Sequence, residues 1–376
     1  NRAGINCRLQ RSAMTLQNSM SKIHCVIYCH SNAEHLQILY TGFSLLAQQG
    51  KISLQYRILK NLPASLPKLS PVDLLVEING KTRVVFDMGD FGEMHSSIFE
   101  SIDAYAKRSF PLNIKNSDNS SPKLIPLGLT YQVHETIPSW FEFRRGQLET
   151  SVLEQTKSVF RSTASLLSPI FPKYYRFNPK NCFEPPNFSL PPRVIFMCRL
   201  WDPADTKPKY REQREFINKQ RADCVRKLRA EFGTTFTGGL AHNAYTIRNY
   251  PDCLLEDPRM SDFYNYVQLM RKHCIGVATT GLHDSIGWKF AEYVAFSKAV
   301  VSEKLCFYVP DLLEGRNYLS FSTAEECVEQ VSILMQDKAL REEFMMNNYQ
   351  HYLRYLQPDV MVWRVINIAL GLTTEN

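Results

Sequence analysis

Apolar residues along this chain come in short runs separated by longer amphipathic stretches. The first run, Ile23–Cys29 (IHCVIYC), has the continuity of a strand buried on both faces of a parallel sheet. A polar turn at His30-Ser31-Asn32 follows, and Ala33 to Gln49 reads as a helix that Gly50 ends. Residues 52–58 predict a second strand, followed by a Pro-rich loop over 61–71. Two more strands are predicted at 73–78 and 83–87, with Asn79-Gly80 between them as a hairpin signal. Strand, helix and strand in succession predict a βαβ unit and a largely parallel sheet.

The middle is less regular. Residues 117–122 (SDNSSP) read as a loop and 148–167 as a long helix, and the proline-rich stretch 168–192 reads as a linker. The α/β rhythm then restarts. Strands are expected at 193–198 (RVIFMC), at 234–239 running into a Gly-Gly turn, at 274–278 and at 299–302. Helices are expected at 212–232, 263–272, 288–296, 324–336 and 339–355, and no repeat of 20–50 residues interrupts the pattern. The fold class is α/β, with two Rossmann-like domains facing each other across a cleft. The first covers 21–168, the linker 169–192 and the second 193–357; residues 358–376 are placed to cross back to the first domain. Ligands of such sheets sit at the carboxyl ends of strands, so the chemistry belongs in the cleft.

Composition sharpens this picture. A chain of 376 residues is too long for one ordinary core, and 44% hydrophobic with 22% charged residues is the balance of a soluble globular protein. No run of eighteen apolar residues predicts a membrane span. The first twenty or so residues are polar and basic and lack the apolar stretch of a secretory signal. Met14 and Met20 are candidate initiators, and the residues before them are left out of the fold reading. Ten scattered cysteines form no C-x-x-C pair, and several sit in apolar runs, which predicts buried free thiols in a reducing, cytoplasmic compartment rather than zinc or disulfides. The net charge of +7 comes without a dense Lys/Arg tract, although basic residues concentrate between Lys207 and Arg229. A phosphate ligand or an anionic membrane surface, at the inner face, accounts for the excess, and nucleic acid is not expected.

The most informative segment is Thr279 to Glu303 (TTGLHDSIGWKFAEYVAFSKAVVSE). A buried strand ends at Ala278, a polar Gly-containing loop follows, and a helix opens near Gly287. Such a strand-loop-helix points backbone N–H groups and the positive helix end at whatever lies above it, and phosphate is the natural occupant. Asp284 precedes the helix; Glu292 lies inside it, where a carboxylate can accept two ribose hydroxyls. Two acids eight positions apart are most often a solvated face, and it is the strand and loop before them that favour a site. His283 stands evenly between a buried loop histidine and a donor contact, and Trp288 reads as core more than as a stacking platform.

This segment is similar to the donor-binding motif of retaining glycosyltransferases of the two-domain GT-B fold, notably family 4. Those enzymes carry Glu, seven residues and Glu, with Gly three after the first; here Asp284, Gly287 and Glu292 take those places, followed by Ser297-Lys298-Ala299-Val300-Val301 as the turn and strand. The departure is Asp284, one methylene shorter than Glu. Family members also open the second domain with an apolar strand, Gly-Arg-Leu and a loop carrying Lys, which resembles Ile195 to Leu200 followed by Lys207. The resemblance covers 193–358. It implies that Arg199, Lys207 and Asp284 serve catalysis, the two cations by neutralising the departing diphosphate. It further implies donor contacts from Gly281, His283, Ser285, Ile286, Gly287, Trp288 and Glu292. No metal or cofactor is implied beyond the nucleotide-sugar donor itself. The implied partners are a nucleoside diphosphate sugar and a glycan or lipid-linked acceptor. Configuration would be retained, with the leaving diphosphate taking the acceptor's proton.

In the first half, Asp87 and Asp90 end a strand among glycines; a tight turn with capping carboxylates is favoured over a metal site or a base. Ser31, Asn32, His95 and His134 are further candidates for the acceptor side of the cleft. Two other classes stay open: a GT-B partner subunit without turnover, for which Asp284 speaks, and a basic nucleic-acid-binding protein, which leaves 279–303 unexplained. A dinucleotide site is disfavoured because no G-x-G-x-x-G follows any strand.

Overall fold

The structure is a computed structural model that describes residues 22–114, 122–133, 144, 148 and 179–372. His134, nearly all of the expected 117–122 loop and 148–167 helix, and the first part of the linker lie outside the described residues.

The first half is a six-stranded sheet of β1 (Ile23–Cys29), β2 (Ile52–Ile58), β3 (Asp73–Ile78), β4 (Thr82–Asp87), β5 (Ala104–Lys107) and β7 (Lys123–Pro126), in the order β2-β1-β3-β4-β5-β7. Its parallel run is broken by one strand. β3 is antiparallel to both neighbours, and the Asn79-Gly80 turn joins it to β4 with φ of 54° and 66°. Two successive left-handed residues are what a tight hairpin needs, and Asn and Gly supply them at least cost. Helix α1 (Gln37–Gln48) follows β1 and buries Leu39, Tyr40, Phe43 and Leu46.

The second half is a five-stranded, wholly parallel sheet of β8 (Val194–Cys198), β9 (Phe236–Leu240), β10 (Ile275–Ala278), β11 (Ala299–Glu303) and β13 (Tyr318–Phe321). The order is β13-β11-β10-β8-β9, so the winding reverses between β8 and β10. Around it lie α2 (Arg211–Phe232), α3 (Ala244–Asn249), α4 (Phe263–Arg271), α5 (Trp288–Ala295), α6 (Ala324–Gln336) and α7 (Lys338–His351). The expected Gly-Gly turn is instead strand: Gly238 and Gly239 lie within β9, and a side chain on Gly238 would collide with the carbonyl of Phe196 on β8. Glycine here serves close backbone approach, not reversal.

Three features tie the halves together. β6 (Phe110–Pro111) pairs antiparallel with β12 (Phe307–Tyr308), one strand from each half. The linker residue Glu184 exchanges backbone hydrogen bonds with Ala295 and the Ser297 hydroxyl. Finally, α8 (Pro358–Leu370) packs on α1 so closely that a side chain at Gly42 would strike the Pro358 carbonyl. Met361, Val362, Val365 and Ile366 of α8 join α1 and the first sheet in one core. The architecture is that of the GT-B class, two Rossmann-like layers with the carboxyl edges of their parallel strands turned toward each other. Among the described residues no helix is long and apolar enough to cross a membrane, and the described cysteines are free thiols, all buried but Cys198 and Cys306.

Candidate functional site

A cavity of about 590 Å³ lies between the facing strand edges. That is the size of a small-molecule site. The first half lines it with residues just past β1 (Glu34, His35), β4 (Asp90), β5 (Arg108) and β7 (Gln132). The second half contributes residues past β8 (Arg199, Trp201), past β9 (Ala241) and past β10 (Thr279, Gly281), together with Arg221 of α2. β8 and β10 flank the reversal of winding, the switch point where open parallel sheets bind ligands.

Arg221 occupies that switch point. It is 5% exposed, and its guanidinium is held by neutral oxygens: Nε donates to Thr279 Oγ1 at 2.9 Å, Nη1 to the Arg199 carbonyl at 2.6 Å and Nη2 to the Thr280 carbonyl at 2.9 Å. The Trp201 ring covers it at 4.4 Å. Burial pushes its pKa down, opposed by Cys198 and Glu303. Glu303 directs Oε2 instead to the amide and hydroxyl of Thr280, at 2.6 and 2.8 Å. A fixed cation thus stands between the ends of β8 and β10 without an ion-pair partner among the described residues. Arg199 beside it is exposed, its guanidinium 5.8 Å from the Trp201 ring.

The loop from Thr279 to Gly287 is shaped by its own backbone. The Gly281 amide donates to the Ser285 carbonyl at 2.7 Å, and His283 and Asp284 take left-handed φ of 60° and 58°. Gly281, Ser285, Gly287 and Trp288 line the cavity. α5 starts at Trp288 with Gly287 as its N-cap and no side-chain cap; the Phe290 amide donates to the Gly287 carbonyl at 3.1 Å, which leaves the Trp288 and Lys289 amides to an anion. The other expected contacts of this loop lie elsewhere. His283 stacks on Phe91 of the first half at 3.9 Å, Asp284 is exposed off the cavity wall, and the Ile286 carbonyl accepts from Arg108 at 2.9 Å. Lys207 is exposed ahead of the short turn Pro208–Tyr210 and also lies off the wall.

Glu292 does line the cavity, 6% exposed, with Lys289 one turn earlier donating to its Oε2 at 3.0 Å. The same ammonium sits 3.3 Å from the centre of the Tyr266 ring. Burial, with Tyr293 and Glu292 close by, holds the Tyr266 hydroxyl well above the usual phenol range.

On the facing side, Arg108 is 6% exposed and bridges the halves: Nη1 donates to Asp90 Oδ1 at 2.6 Å and Nη2 to the Ile286 carbonyl. His35 packs its ring on Trp288 at 5.2 Å. Asp87 is not on the cavity. It is buried, accepts from Gly89 N at 2.8 Å and from Lys107 Nζ at 2.7 Å, and bonds the Tyr105 hydroxyl. Asp73, Asp87 and His95 can bring ligand atoms within 4.8 Å of one another, but the Lys107 ammonium already supplies the cation there. Ser31 accepts from the Ala33 amide at 3.0 Å, and neither it nor Asn32 reaches the wall; His95 sits 3.3 Å from Asp73.

Sequence reading passed over Arg221, Arg108 and His35. Arg221 is one basic residue among many on a charged helix, and Arg108 follows Lys107 in a four-residue strand too short to announce itself. His35 could have been noticed, since it lies just past the first strand, where a parallel sheet exposes its carboxyl edge.

No family model matches this chain, and no curated protein matches it. Solved structures superpose loosely. An alpha-glucosyltransferase (AGT) in complex with UDP is 11% identical over 92% of this chain and 99% of that one, with a TM-score of 0.40. Alr3699/HepE of Anabaena in complex with UDP is 10% identical over 91% and 97%, with a TM-score of 0.34. The C-terminal domain of a glycosyl transferase group 1 family protein (LpcC) from Francisella tularensis is 14% identical over 46% and 95%, with a TM-score of 0.33. At such scores the likeness says nothing about chemistry, which has to come from this cleft.

Proposed function

We propose that the chain is a glycosyltransferase. The second half binds a nucleoside diphosphate sugar, and the first half presents a hydroxyl of a glycan or lipid-linked acceptor. The observation that carries this reading is Arg221, buried at the switch point without a carboxylate, with Arg199 and the uncapped start of α5 beside it. Burying a charge is costly unless something compensates it, and a diphosphate at this position would.

As the bond between sugar and diphosphate breaks, negative charge grows on the diphosphate oxygens. Fixed guanidinium groups and helix amides favour that state over the ground state, so the proposed reaction needs no metal ion. The Tyr266 and Phe263 rings and Leu255 add apolar wall to the same cavity, against which the nucleoside would rest. Retention of configuration is the part of the proposal that rests on the sequence resemblance alone. Peripheral contact with an anionic membrane surface would accompany a lipid-linked acceptor.

Thermal shift with UDP, GDP, ADP and their sugars tests the donor, because a ligand of the native state alone raises its stability. Arg199→Ala tests the chemistry. It should lower kcat about 100- to 1000-fold with a smaller rise in donor KM. Wild-type kcat in that variant would remove Arg199 from the site.

A further inference from the structure

The two halves wall the cavity with different chemistry. Its apolar side chains, Phe196, Met197, Leu255, Phe263 and Leu282 among them, all come from the second half. Among the described residues the first half contributes Glu34, His35, Asp90, Arg108 and Gln132, every one of them polar. They stand past β1, β4, β5 and β7, so they are spread along the acceptor side rather than gathered at one point.

Charge divides the halves further. The second half offers the cavity Arg199 and Arg221, neither paired with a carboxylate among the described residues. The cation of the first-half wall is Arg108, and it is already committed: Nη1 donates to Asp90 Oδ1 at 2.6 Å and Nη2 to the Ile286 carbonyl at 2.9 Å. Burial and Arg108 push the His35 pKa below its ordinary value, against Asp90 and Glu34, so the ring adds no positive charge near pH 7. What stays uncompensated on this wall is the negative charge of Glu34, which is exposed and forms no ion pair among the described residues.

A phosphate placed here would lose its hydration and meet a carboxylate with no free cation. An alkyl chain would meet only polar groups. Sugar hydroxyls both donate and accept, and carboxylate, imidazole and amide together answer both needs. Gln132 is half-buried, and its amide has no hydrogen-bonding partner among the described residues. We propose that the acceptor is an uncharged saccharide, whose reacting sugar is recognised by Glu34, His35 and Gln132; the assignment rests on the glycosyltransferase reading above. Phosphate is excluded from the place of that sugar, whatever the saccharide is attached to further along.

The test uses the full chain with UDP-glucose, GDP-mannose and ADP-glucose as donors, and follows nucleoside diphosphate release above that in water alone. The acceptors are matched pairs: the methyl glycosides of glucose, mannose and N-acetylglucosamine, each beside its phosphate monoester. The neutral member of a pair should exceed its phosphate about 10- to 100-fold, the effect of one unfavourable like-charge contact. A short polyprenyl phosphate should add nothing to the rate in water. Glu34→Lys puts a cation on the same wall at an exposed position, away from the core, and should shrink the ratio about tenfold. The assignment is overturned by a preferred phosphate, by equal rates within every pair, by a ratio that Glu34→Lys leaves unmoved, or by a panel in which no neutral sugar exceeds water. Calorimetry with the three nucleotides separates the two failures. A protein that binds none of them overturns the donor reading, whereas one that binds a nucleotide and fails the pairs overturns the acceptor assignment alone.

Discussion

The two halves bury positive charge in opposite ways. In the first, Lys107 is 1% exposed and lies 2.7 Å from Asp87, and Arg108 lies 2.6 Å from Asp90. In the second, Arg221 is as deeply buried, yet its partners are two carbonyls and a hydroxyl. Arg341 of α7 is also held by carbonyls, those of Leu334 and Met335, but these are the last turn of α6, where helix carbonyls need a donor. Arg221 caps no helix end and faces the cavity. A paired charge inside a protein is part of the structure, whereas one held by neutral groups still has its field to offer a ligand.

The largest expected effect tests the paired side. Lys107→Ala leaves the Asp87 carboxylate buried with only the Tyr105 hydroxyl and the Gly89 amide. It should cost about 3–5 kcal/mol, read as a lower melting temperature, with nucleotide affinity unchanged in the protein that still folds. A loss below about 1 kcal/mol would show that this network is not what holds the first half's charges.

The second prediction concerns a group the other half buries without charge. His351 is 2% exposed at the end of α7, and burial pushes its pKa down to about 4 from an ordinary 6.5. The folded-state value is depressed, so the unfolded chain binds the proton more readily. Stability should be complete above pH 6.5 and fall as pH drops toward 4, by about 3 kcal/mol at most. Melting curves across that window should flatten in His351→Gln; the same slope in the variant would assign the loss to other groups.

The smallest effect tests the comparison most directly. Arg221→Met breaks no ion pair, so without ligand it should lower the melting temperature less than Lys107→Ala does. Affinity for the nucleoside diphosphate should fall about 10- to 100-fold, the loss of one charge-assisted contact. Equal affinity in the two proteins would mean that Arg221 is structural after all.

The chain's regular parts were legible in advance wherever one local pattern decides. Ile23–Cys29 is a strand by its unbroken apolar run, and Asn79-Gly80 is a turn by its tolerance of left-handed backbone. Gly238-Gly239 misled because the same residue type serves turns and close approach, and only the neighbouring Phe196 backbone distinguishes them. β5, with Ala104 and Lys107 at its ends, has neither the length nor the composition of a strand and is buried by its neighbours' choice. The candidate site was legible to the same extent. Gly281, Ser285, Gly287 and Glu292 reach the cavity because strand, loop and helix are contiguous in sequence. Arg221, Arg108 and His35 reach it through tertiary packing. Lys207 and His283 lie close along the chain to residues of the cavity wall but are not part of it, His283 stacking on Phe91 instead.

The return of α8 to α1 also bears on how this protein is made. The surface of α1 that receives Met361, Val362 and Val365 is synthesised more than three hundred residues before its cover. At about 5–20 residues per second, that apolar face waits on the order of tens of seconds on a growing chain. The native core of the first half is therefore complete only when the last helix has been made. Until residues 358–370 have been made, the core that α1 shares with the first sheet lacks the apolar side chains of Met361, Val362, Val365 and Ile366.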